Sequence, residues 1–301
     1  MTANPTPFRC GYVAIIGKPN VGKSTLLNSI LHFKLSIVSP KPQTTRQRVL
    51  GIYNQDDAQI IFLDTPGLIT PKYELQSAMM RIAGDAIESA DALLVMIDVT
   101  ENDSEEFIQK VFSETLKNTK LPAVLALNKI DRIAKDQLLP LIAKFHSTNL
   151  FTEIIPISAL HSDGTDRVVK SLIPLLPESP AFYPEDVLTE QPERFFVAEI
   201  IREKIFYHYA QEIPYSTDVI VEEFKERDRK KDFIRAAIYV ERSSQKAILI
   251  GSKGAALKQI GEEARLAIEE FLGRKVFLEL WVKVKEKWRE DRRTLKDLGY
   301  M

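Results

Sequence analysis

A run of eight residues, Gly17–Ser24 (GKPNVGKS), has the residue types and spacing of a phosphate-binding loop. It follows a short apolar stretch, Tyr12–Ile16, and precedes apolar residues at helical spacing. A glycine-rich loop between a buried strand and a helix turns its backbone N–H groups inwards, where the helix N-terminus also favours an anion. We expect nucleotide phosphates to be held by Gly17, Lys18, Pro19, Asn20, Val21, Gly22, Lys23, Ser24 and Thr25.

A magnesium site is predicted beside this loop. Lys23 is expected to bridge the β- and γ-phosphates, and the Ser24 hydroxyl to ligate Mg²⁺. The polar segment 40–46 offers a second hydroxyl for the GTP state, either Thr45, which we favour, or Thr44. The alternative is that this segment is a plain exposed loop.

Asp64–Gly67 (DTPG) ends a second apolar run, Gln59–Leu63. An aspartate at a strand end can hold Mg²⁺ through water, and the Gly67 N–H can donate to the γ-phosphate. The motif is weak alone but strong downstream of a phosphate-binding loop. We therefore predict nucleotide contacts from Asp64, Thr65, Pro66 and Gly67, metal ligation by Ser24, Thr45 and Asp64, and catalytic roles for Lys23, Thr45 and Gly67.

A guanine-reading motif, Asn128–Asp131 (NKID), follows a third apolar run, Ala123–Leu127. The Asp131 carboxylate can accept hydrogen bonds from guanine N1–H and the exocyclic N2 amine together, whereas bound ATP would leave it buried and unpaired. Adenine has no such donor pair, and sites of this kind reject an analogue by about 10⁴–10⁵. The predicted base-binding residues are Asn128, Lys129 and Asp131, with the backbone N–H groups of Ser158, Ala159 and Leu160 facing guanine O6.

Residue 68 departs from a common pattern. Leu68 stands where Ras-type enzymes place a water-orienting glutamine, and the sequence does not identify an arginine finger. We expect slow intrinsic GTP turnover, as in a switch protein.

The apolar runs and helical spacings that flank these motifs predict a doubly wound α/β domain. Its sheet is expected to be mostly parallel, with an antiparallel edge strand near Val49–Tyr53 and the site at the carboxyl ends of the strands. Five prolines fall within residues 174–192, a density that ends helices and stiffens the chain. We predict a GTPase domain over 1–175, a linker over 176–192 and a second domain over 193–301.

The second domain is predicted to be α+β. Apolar periodicity indicates the order α-β-β-α-α-β: a helix at 195–211, strands at 217–224 and 233–241 flanking a charged turn, helices near 244–250 and up to 272, and a strand at 275–283. Between the last two helices lies Gly251–Gly254 (GSKG). Two glycines let such a loop approach a sugar-phosphate backbone, beside a groove for about four unstacked bases. The alternative is an inert helix–turn–helix. RNA contacts are predicted from Ile250, Gly251, Ser252, Lys253, Gly254 and Lys258.

Taken together, these motifs resemble a known family. Gly17–Asn28, Thr44–Arg46 and Asp64–Gly67 resemble the Era branch of the translation-factor-related GTPases, and Ile248–Gly261 is similar to the core of a type II KH domain. The resemblance spans about residues 8–300. It implies a GTPase whose KH domain binds near the 3′ end of small-subunit ribosomal RNA, favoured by GTP, and which assists small ribosomal subunit maturation. The competing interpretation is a GTP-regulated RNA- or protein-binding module with little hydrolysis.

The resemblance also bears on cofactors and location. Asn20 occupies a position similar to that in potassium-responsive members of this group, which implies K⁺ beside Mg²⁺. The alternative is that Asn20 only caps the loop by local hydrogen bonds. Peripheral association with the inner membrane surface is implied by relatives, although no segment of this sequence indicates it.

Composition is ordinary for a globular protein, with 301 residues, 45% hydrophobic and 28% charged. The single cysteine, Cys10, fits a reducing compartment, and no apolar signal segment or 18-residue apolar run is present. We expect a cytoplasmic monomer. Residues 1–192 hold 18 Lys/Arg against 22 Asp/Glu, and residues 193–301 hold 23 against 20. RNA affinity must therefore come from placement of charge. The tail beyond Trp281 is basic, and either extends an RNA surface or is a solvated helix with packed tryptophans.

Overall fold

The computed structural model describes residues 7–39, 41–101, 103–111, 120–228 and 230–301. Pro40 of the predicted metal loop and Arg229 of the predicted charged turn lie outside the described residues. Contacts divide the chain into two units. The first comprises Met1–Ser36, Thr45–Thr70 and Met79–Glu190, and the second comprises Ile37–Thr44, Pro71–Ala78 and Gln191–Met301.

The first unit alternates strands with helices, as predicted for a doubly wound fold. Its elements are β1 (Arg9–Gly17), α1 (Lys23–Leu31), β2 (Val49–Gln55), β3 (Ala58–Asp64), α2 (Glu74–Glu88, whose first residues belong to the second unit), β4 (Ala92–Asp98), α3 (Ser104–Lys110), β5 (Ala123–Asn128), α4 (Lys135–His146), β6 (Glu153–Ile157) and α5 (Thr165–Leu172).

The sheet of this unit has the strand order β2-β3-β1-β4-β5-β6. β2 pairs antiparallel with β3, and the other neighbours are parallel. The predicted antiparallel edge strand is thus confirmed. β3, β4 and β5 are buried along their whole length, because strands covered on both faces need continuous apolar runs. The sequence analysis identified the apolar runs of β3 and β5 but not that of β4.

The second unit packs helices on a three-stranded sheet. Its elements are α6 (Glu193–His208), α7 (Ile213–Ser216), β7 (Asp218–Lys225), β8 (Asp232–Val240), α8 (Ser243–Ile250), α9 (Ala255–Leu272), β9 (Val276–Val284) and α10 (Arg292–Asp297). β7 and β8 are antiparallel, and β8 and β9 are parallel. A shared core includes Val197, Ile201, Ile234, Ile260 and Ile268. The predicted α-β-β-α-α-β order is confirmed, with α7 and α10 added.

The proline-rich stretch is packed rather than free. The Pro177 carbonyl accepts from Cys10 N–H (3.2 Å), and the Leu188 carbonyl accepts from Ile52 N–H (2.9 Å). Gln59 Oε1 accepts from the N–H of Tyr183 (3.0 Å). Contacts place the chain up to Glu190 in the first unit, so only Gln191 and Pro192 of the predicted linker lie outside it. The proline content predicted that this stretch is irregular, but it could not predict the hydrogen bonds that hold the stretch against the first unit.

The two tryptophans of the tail differ. Trp288 is fully buried, and its Nε1 donates to the Ser216 carbonyl (2.9 Å). Trp281 is 53% exposed on β9. The packed-tryptophan alternative therefore holds for Trp288 only. Among the described residues, we find no helix with the length and apolarity needed to cross a membrane.

Candidate functional site

The predicted phosphate-binding loop connects β1 to α1. Gly22 has φ 104°, and a Cβ there would lie 2.2 Å from the Asn128 amide nitrogen. At Gly17 a Cβ would lie 2.5 Å from the Met96 carbonyl oxygen. Both positions therefore require glycine for reasons of space, and Gly22 also for its backbone conformation.

The other loop residues surround these glycines. Lys18 is ion-paired with the carboxylate of Asp103 and lies 3.5 Å from Glu101 Oε2. Asn20 is exposed, with a positive φ of 64°. Val21 is buried, and Pro19 and Thr25 are half-buried.

Lys23 is folded back on the loop. Its side chain is 5% exposed, and Nζ donates to the carbonyls of Gly17 (3.2 Å) and Lys18 (2.9 Å). Burial lowers the pKa of Lys23 to about 8, an effect that the negative charge of Asp64 opposes. The ammonium has thus lost much of its hydration, which favours contact with an anion.

A cluster of oxygens lies at the start of α1. Asp64 is fully buried, and its Oδ2 accepts from the hydroxyls of Ser24 (2.7 Å) and Ser36 (3.1 Å). Its Oδ1 is buried without a hydrogen-bond partner among the described residues. Burial raises the pKa of Asp64, and the charge of Lys23 opposes this. An orphaned carboxylate oxygen beside hydroxyls suits Mg²⁺, which prefers oxygen ligands.

Thr45 completes this cluster. Its Oγ1 lies 2.8 Å from Ser24 Oγ. The Thr44 hydroxyl instead donates to the Lys41 carbonyl (2.8 Å). Of the two hydroxyls left open by the sequence, the geometry favours Thr45.

The Asp64–Gly67 motif lies against the phosphate-binding loop. A Cβ at Gly67 would lie 2.5 Å from Pro19 N, and Leu68 N–H donates to the Gly17 carbonyl (3.0 Å). The Thr65 hydroxyl donates to the Ile15 carbonyl (2.7 Å) and is fully buried, so it ties the motif to β1. Pro66 is buried beside it. The Leu68 side chain packs against the apolar core of the sheet, which agrees with its inability to orient water.

The predicted base reader sits in a tight turn after β5. The Ser158 hydroxyl donates to Asp131 Oδ1 (2.6 Å), which holds the pKa of Asp131 below its ordinary range. Asp131 lies in the exposed turn Ile130–Arg132. Ser158 therefore orients a charged acceptor that solvent reaches.

Asn128 joins three loops. Its Nδ2 donates to the Val21 carbonyl (2.6 Å), and its Oδ1 accepts from Ala159 N–H (2.9 Å). The side chain is 2% exposed. Asn128 thus holds the phosphate and base loops together. Two of the three backbone N–H groups predicted to face guanine O6 donate within the protein: that of Ala159 to Asn128, and that of Ser158 to the Asp163 carbonyl (3.0 Å). Of the three, the N–H of Leu160 is the one for which the described contacts give no such bond.

Sequence analysis missed Asp98. This residue ends β4, is paired in register with Asn128, and forms an ion pair with the ammonium of Lys129. Burial opposes ionisation of Asp98, but hydrogen bonds from Lys129 and Thr100 lower its pKa overall. An acidic residue at the end of an apolar strand, one strand before the base reader, was the available signal.

The predicted RNA loop connects α8 to α9. Gly251 has φ 71° and a Cβ there would lie 2.6 Å from the Ala256 Cβ, whereas Gly254 has φ 81° and open space around it. Lys253, between them, also has a positive φ of 49°. Ser252, Lys253 and Lys258 are exposed, and Ile250 is half-buried. The loop therefore presents its backbone and the Lys253 cation outwards, and Lys258 is exposed on the first turn of α9.

A groove of about 380 Å³ runs from this loop along α9 to the sheet. Apolar and charged side chains share its walls, which are formed by Gly254, Leu257, Lys258, Gly261, Glu262, Arg265, Leu278 and Leu280. An apolar floor with cations at its rim suits unstacked bases joined by phosphates.

Known proteins match this chain along almost its whole length. A family model described as a 50S ribosome-binding GTPase matches residues 12–129, and one described as a KH domain matches residues 212–289. The GTPase Era of Geotalea uraniireducens is 48% identical over 97% of this chain and 98% of its own. That of Alkaliphilus metalliredigens is 45% identical, covering 97% and 99%.

Solved structures agree with these matches. A crystal structure of an Era variant from Aquifex aeolicus, bound to GDP·AlF4⁻, has a TM-score of 0.93 at 45% identity and covers 97% of this chain and 99% of that chain. A crystal structure of Era in complex with MgGDPNP and nucleotides 1506–1542 of 16S ribosomal RNA matches with the same TM-score, identity and coverage.

Proposed function

Since this chain belongs to the Era family of GTPases, we propose that it is a GTP-hydrolysing switch that binds small-subunit ribosomal RNA near its 3′ end and assists small ribosomal subunit maturation. One observation carries the proposal. A single chain combines the oxygen cluster around Asp64 with a groove beside a Gly251–Gly254 loop, and a relative with the same architecture was solved with both MgGDPNP and 16S ribosomal RNA.

We choose small-subunit over large-subunit ribosomal RNA because of how much of this chain each similar protein matches. The family model described as a 50S ribosome-binding GTPase matches only residues 12–129, so it supports an assignment for the nucleotide-binding part of the chain and not for the RNA-binding part. The solved relative that includes 16S ribosomal RNA is similar over 97% of this chain. We accordingly assign GTP binding and hydrolysis to residues 1–175 and RNA binding to residues 193–301.

The chemistry rests on placement of charge. Lys23 and the loop N–H groups would neutralise the phosphates, and Gly67 would donate to the γ-phosphate while water attacks in line. Ser24, Thr45 and, through water, Asp64 would hold Mg²⁺, which supplies charge neutralisation at the β- and γ-oxygens. With Leu68 in place of a glutamine, turnover without a partner should be slow.

The proposed function is tested by measuring GTP turnover with and without RNA. We expect an RNA oligomer with the sequence of the 16S 3′ end to increase phosphate release, and a scrambled oligomer to leave it unchanged. Binding that depends on GTP without increased turnover would instead support the binding-module interpretation. No binding of either oligomer would contradict the RNA assignment.

Replacement of Gly254 by Asp should weaken RNA binding by about 10–100-fold, since a carboxylate would repel the phosphates that the loop must approach. GTP binding should not change. Gly254 is preferable to Gly251 because a Cβ at Gly254 meets nothing within 4 Å. Fluorescence anisotropy with the labelled 16S oligomer measures the affinity.

Gly273→Asp is the matched control for this variant. Gly273 caps the other end of α9 with φ 67° and equally open surroundings. Both variants therefore carry similar backbone strain, but only one alters the loop. Equal RNA affinities for the two folded variants would refute the loop assignment.

We also propose that K⁺ accelerates hydrolysis. The exposed Asn20 lies in the phosphate-binding loop, and a monovalent cation near the phosphates would supply positive charge that neither Leu68 nor an arginine finger provides. Turnover should be about tenfold faster in potassium than in sodium at equal ionic strength, and Asn20→Ala should reduce this ratio. Equal turnover of the unaltered protein in both salts would rule the idea out.

For location and assembly, we propose a cytoplasmic monomer whose contact with the inner membrane surface is peripheral. Resemblance to the Era family and the single cysteine support the location, and resemblance alone supports the membrane contact. Analytical ultracentrifugation tests the oligomeric state. Flotation with vesicles of anionic lipid tests the membrane contact.

A further inference from the structure

The segment Ile37–Thr44 forms several side-chain hydrogen bonds with helix α6, besides one between Gln43 and Gln76 of α2 and others within the segment itself. It belongs to the second unit by contacts, although Ser36 and Thr45 on either side belong to the first. Val38 N–H donates to Glu203 Oε1 (3.3 Å), and Tyr207 Oη donates to the Val38 carbonyl (3.1 Å). The chain leading to Thr45 therefore follows the last two turns of α6.

Lys41 strengthens this attachment at the end of the helix. Its ammonium donates to the carbonyls of Phe206 and Tyr209. The last carbonyls of a helix lack partners within the helix and carry its negative dipole end, so a cation is favoured there. Lys41 thus caps α6 from a segment more than 160 residues earlier in the chain.

Arg202 forms the attachment nearest to Thr45. Its Nη2 donates to the Thr44 carbonyl, and Glu199 holds its Nε (2.7 Å) and Nη2 (2.5 Å). The guanidinium lies 5.4 Å from the Phe206 ring centroid, and only 1% of the residue is exposed. A buried guanidinium stays charged, so its hydrogen bond to a carbonyl is charge-assisted and stronger than a neutral one.

The charge of Arg202 is maintained locally. Burial acts against ionisation, but the negative charge of Glu199 outweighs it and raises the pKa of Arg202. Its Nη1 is buried without a hydrogen-bond partner among the described residues. A buried donor without a partner is costly, so its presence in a native protein calls for a structural or functional explanation.

We propose that Arg202 is a positioning residue for GTP hydrolysis: by holding the Thr44 carbonyl, it fixes the peptide that carries the Thr45 hydroxyl to the magnesium site. The inference rests on the proposed function, since it takes Thr45 as a magnesium ligand. Consecutive Cα atoms are about 3.8 Å apart, so an anchor on the Thr44 carbonyl leaves the Thr45 side chain little freedom.

The test replaces Arg202 by Met, which keeps the length of the side chain and removes its charge. The Mg²⁺ concentration needed for half-maximal binding of a fluorescent GDPNP should rise about tenfold or more, the effect of losing one charge-assisted hydrogen bond. Amide hydrogen exchange at residues 44–46 should accelerate by a similar factor. Arg202→Lys, which retains a charged donor, should recover part of both effects.

Arg235→Met is the matched control. Arg235 is ion-paired with Glu223 and Glu279 on the sheet of the same unit, and it does not contact Ile37–Thr44 in the described contacts. This variant should leave Mg²⁺ dependence and exchange at residues 44–46 unchanged. If folded Arg202→Met and Arg202→Lys behave like Arg235→Met in both measurements, the positioning role is wrong.

Thr45→Ala separates this inference from the magnesium assignment. If Thr45→Ala leaves the Mg²⁺ dependence unchanged, Thr45 is not a ligand and that part of the proposed function fails. Amide exchange at residues 44–46 in Arg202→Met then decides independently whether Arg202 holds this peptide. Unchanged exchange would overturn the positioning role whatever the Thr45→Ala result.

Discussion

Asp131→Asn should lower affinity for GTP by about 10²–10⁴-fold and raise affinity for xanthosine triphosphate. Two hydrogen bonds to a charged acceptor, each contributing about 1.5–3 kcal/mol, account for this range. Xanthine carries an oxygen where guanine carries the N2 amine. The new amide can donate to that oxygen and accept from N1–H, whereas a carboxylate only accepts.

Competition binding with the two nucleotides measures this exchange of preference. Ser158→Ala is the control, because it removes the hydroxyl that donates to Asp131 Oδ1 and leaves the carboxylate in place. It should weaken GTP binding modestly without any gain for xanthosine triphosphate. Equal losses for both nucleotides in Asp131→Asn would mean that Asp131 does not read the base.

Lys23→Ala should reduce GTP turnover by at least about 10²–10³-fold, the usual effect of removing one preorganised charge from a transition-state site. The side chain is buried, and its ammonium lies within the phosphate-binding loop, where it donates to the carbonyls of Gly17 and Lys18. Single-turnover hydrolysis at saturating GTP measures the loss. Affinity of the variant for the 16S oligomer shows whether the second unit remains folded.

Lys18→Ala provides the comparison within the same loop. Lys18 is ion-paired with Asp103 and is more exposed than Lys23. Its replacement should change turnover by only a few-fold, because a partly exposed ion pair contributes little. Turnover at the rate of the unaltered protein in Lys23→Ala would show that the phosphate-binding loop is wrongly assigned.

The sequence alone determined the chemistry of the nucleotide site. Phosphate and guanine each impose particular residue types at particular spacings, and Gly22, Lys23 and Asp131 follow from those demands. Strand positions were equally readable, because strands buried on both faces need unbroken apolar runs such as β3 and β5. The order of the six predicted elements in the second unit followed from the spacing of apolar residues along each helix and strand, whereas α7 and α10 were not predicted.

Only the tertiary structure decided which polar groups meet. Asn128 bonds to Val21 and Ala159, Asp98 pairs with Lys129, and Arg202 reaches the Thr44 carbonyl 158 residues earlier in the chain. Such partners cannot be predicted from local composition, because hydrophobic periodicity and turn residues indicate only the structure of neighbouring residues along the chain. The exposure of Asp131 also depends on the tertiary structure. The same holds for the packing of the proline-rich stretch up to Glu190, which contacts segments from distant parts of the sequence.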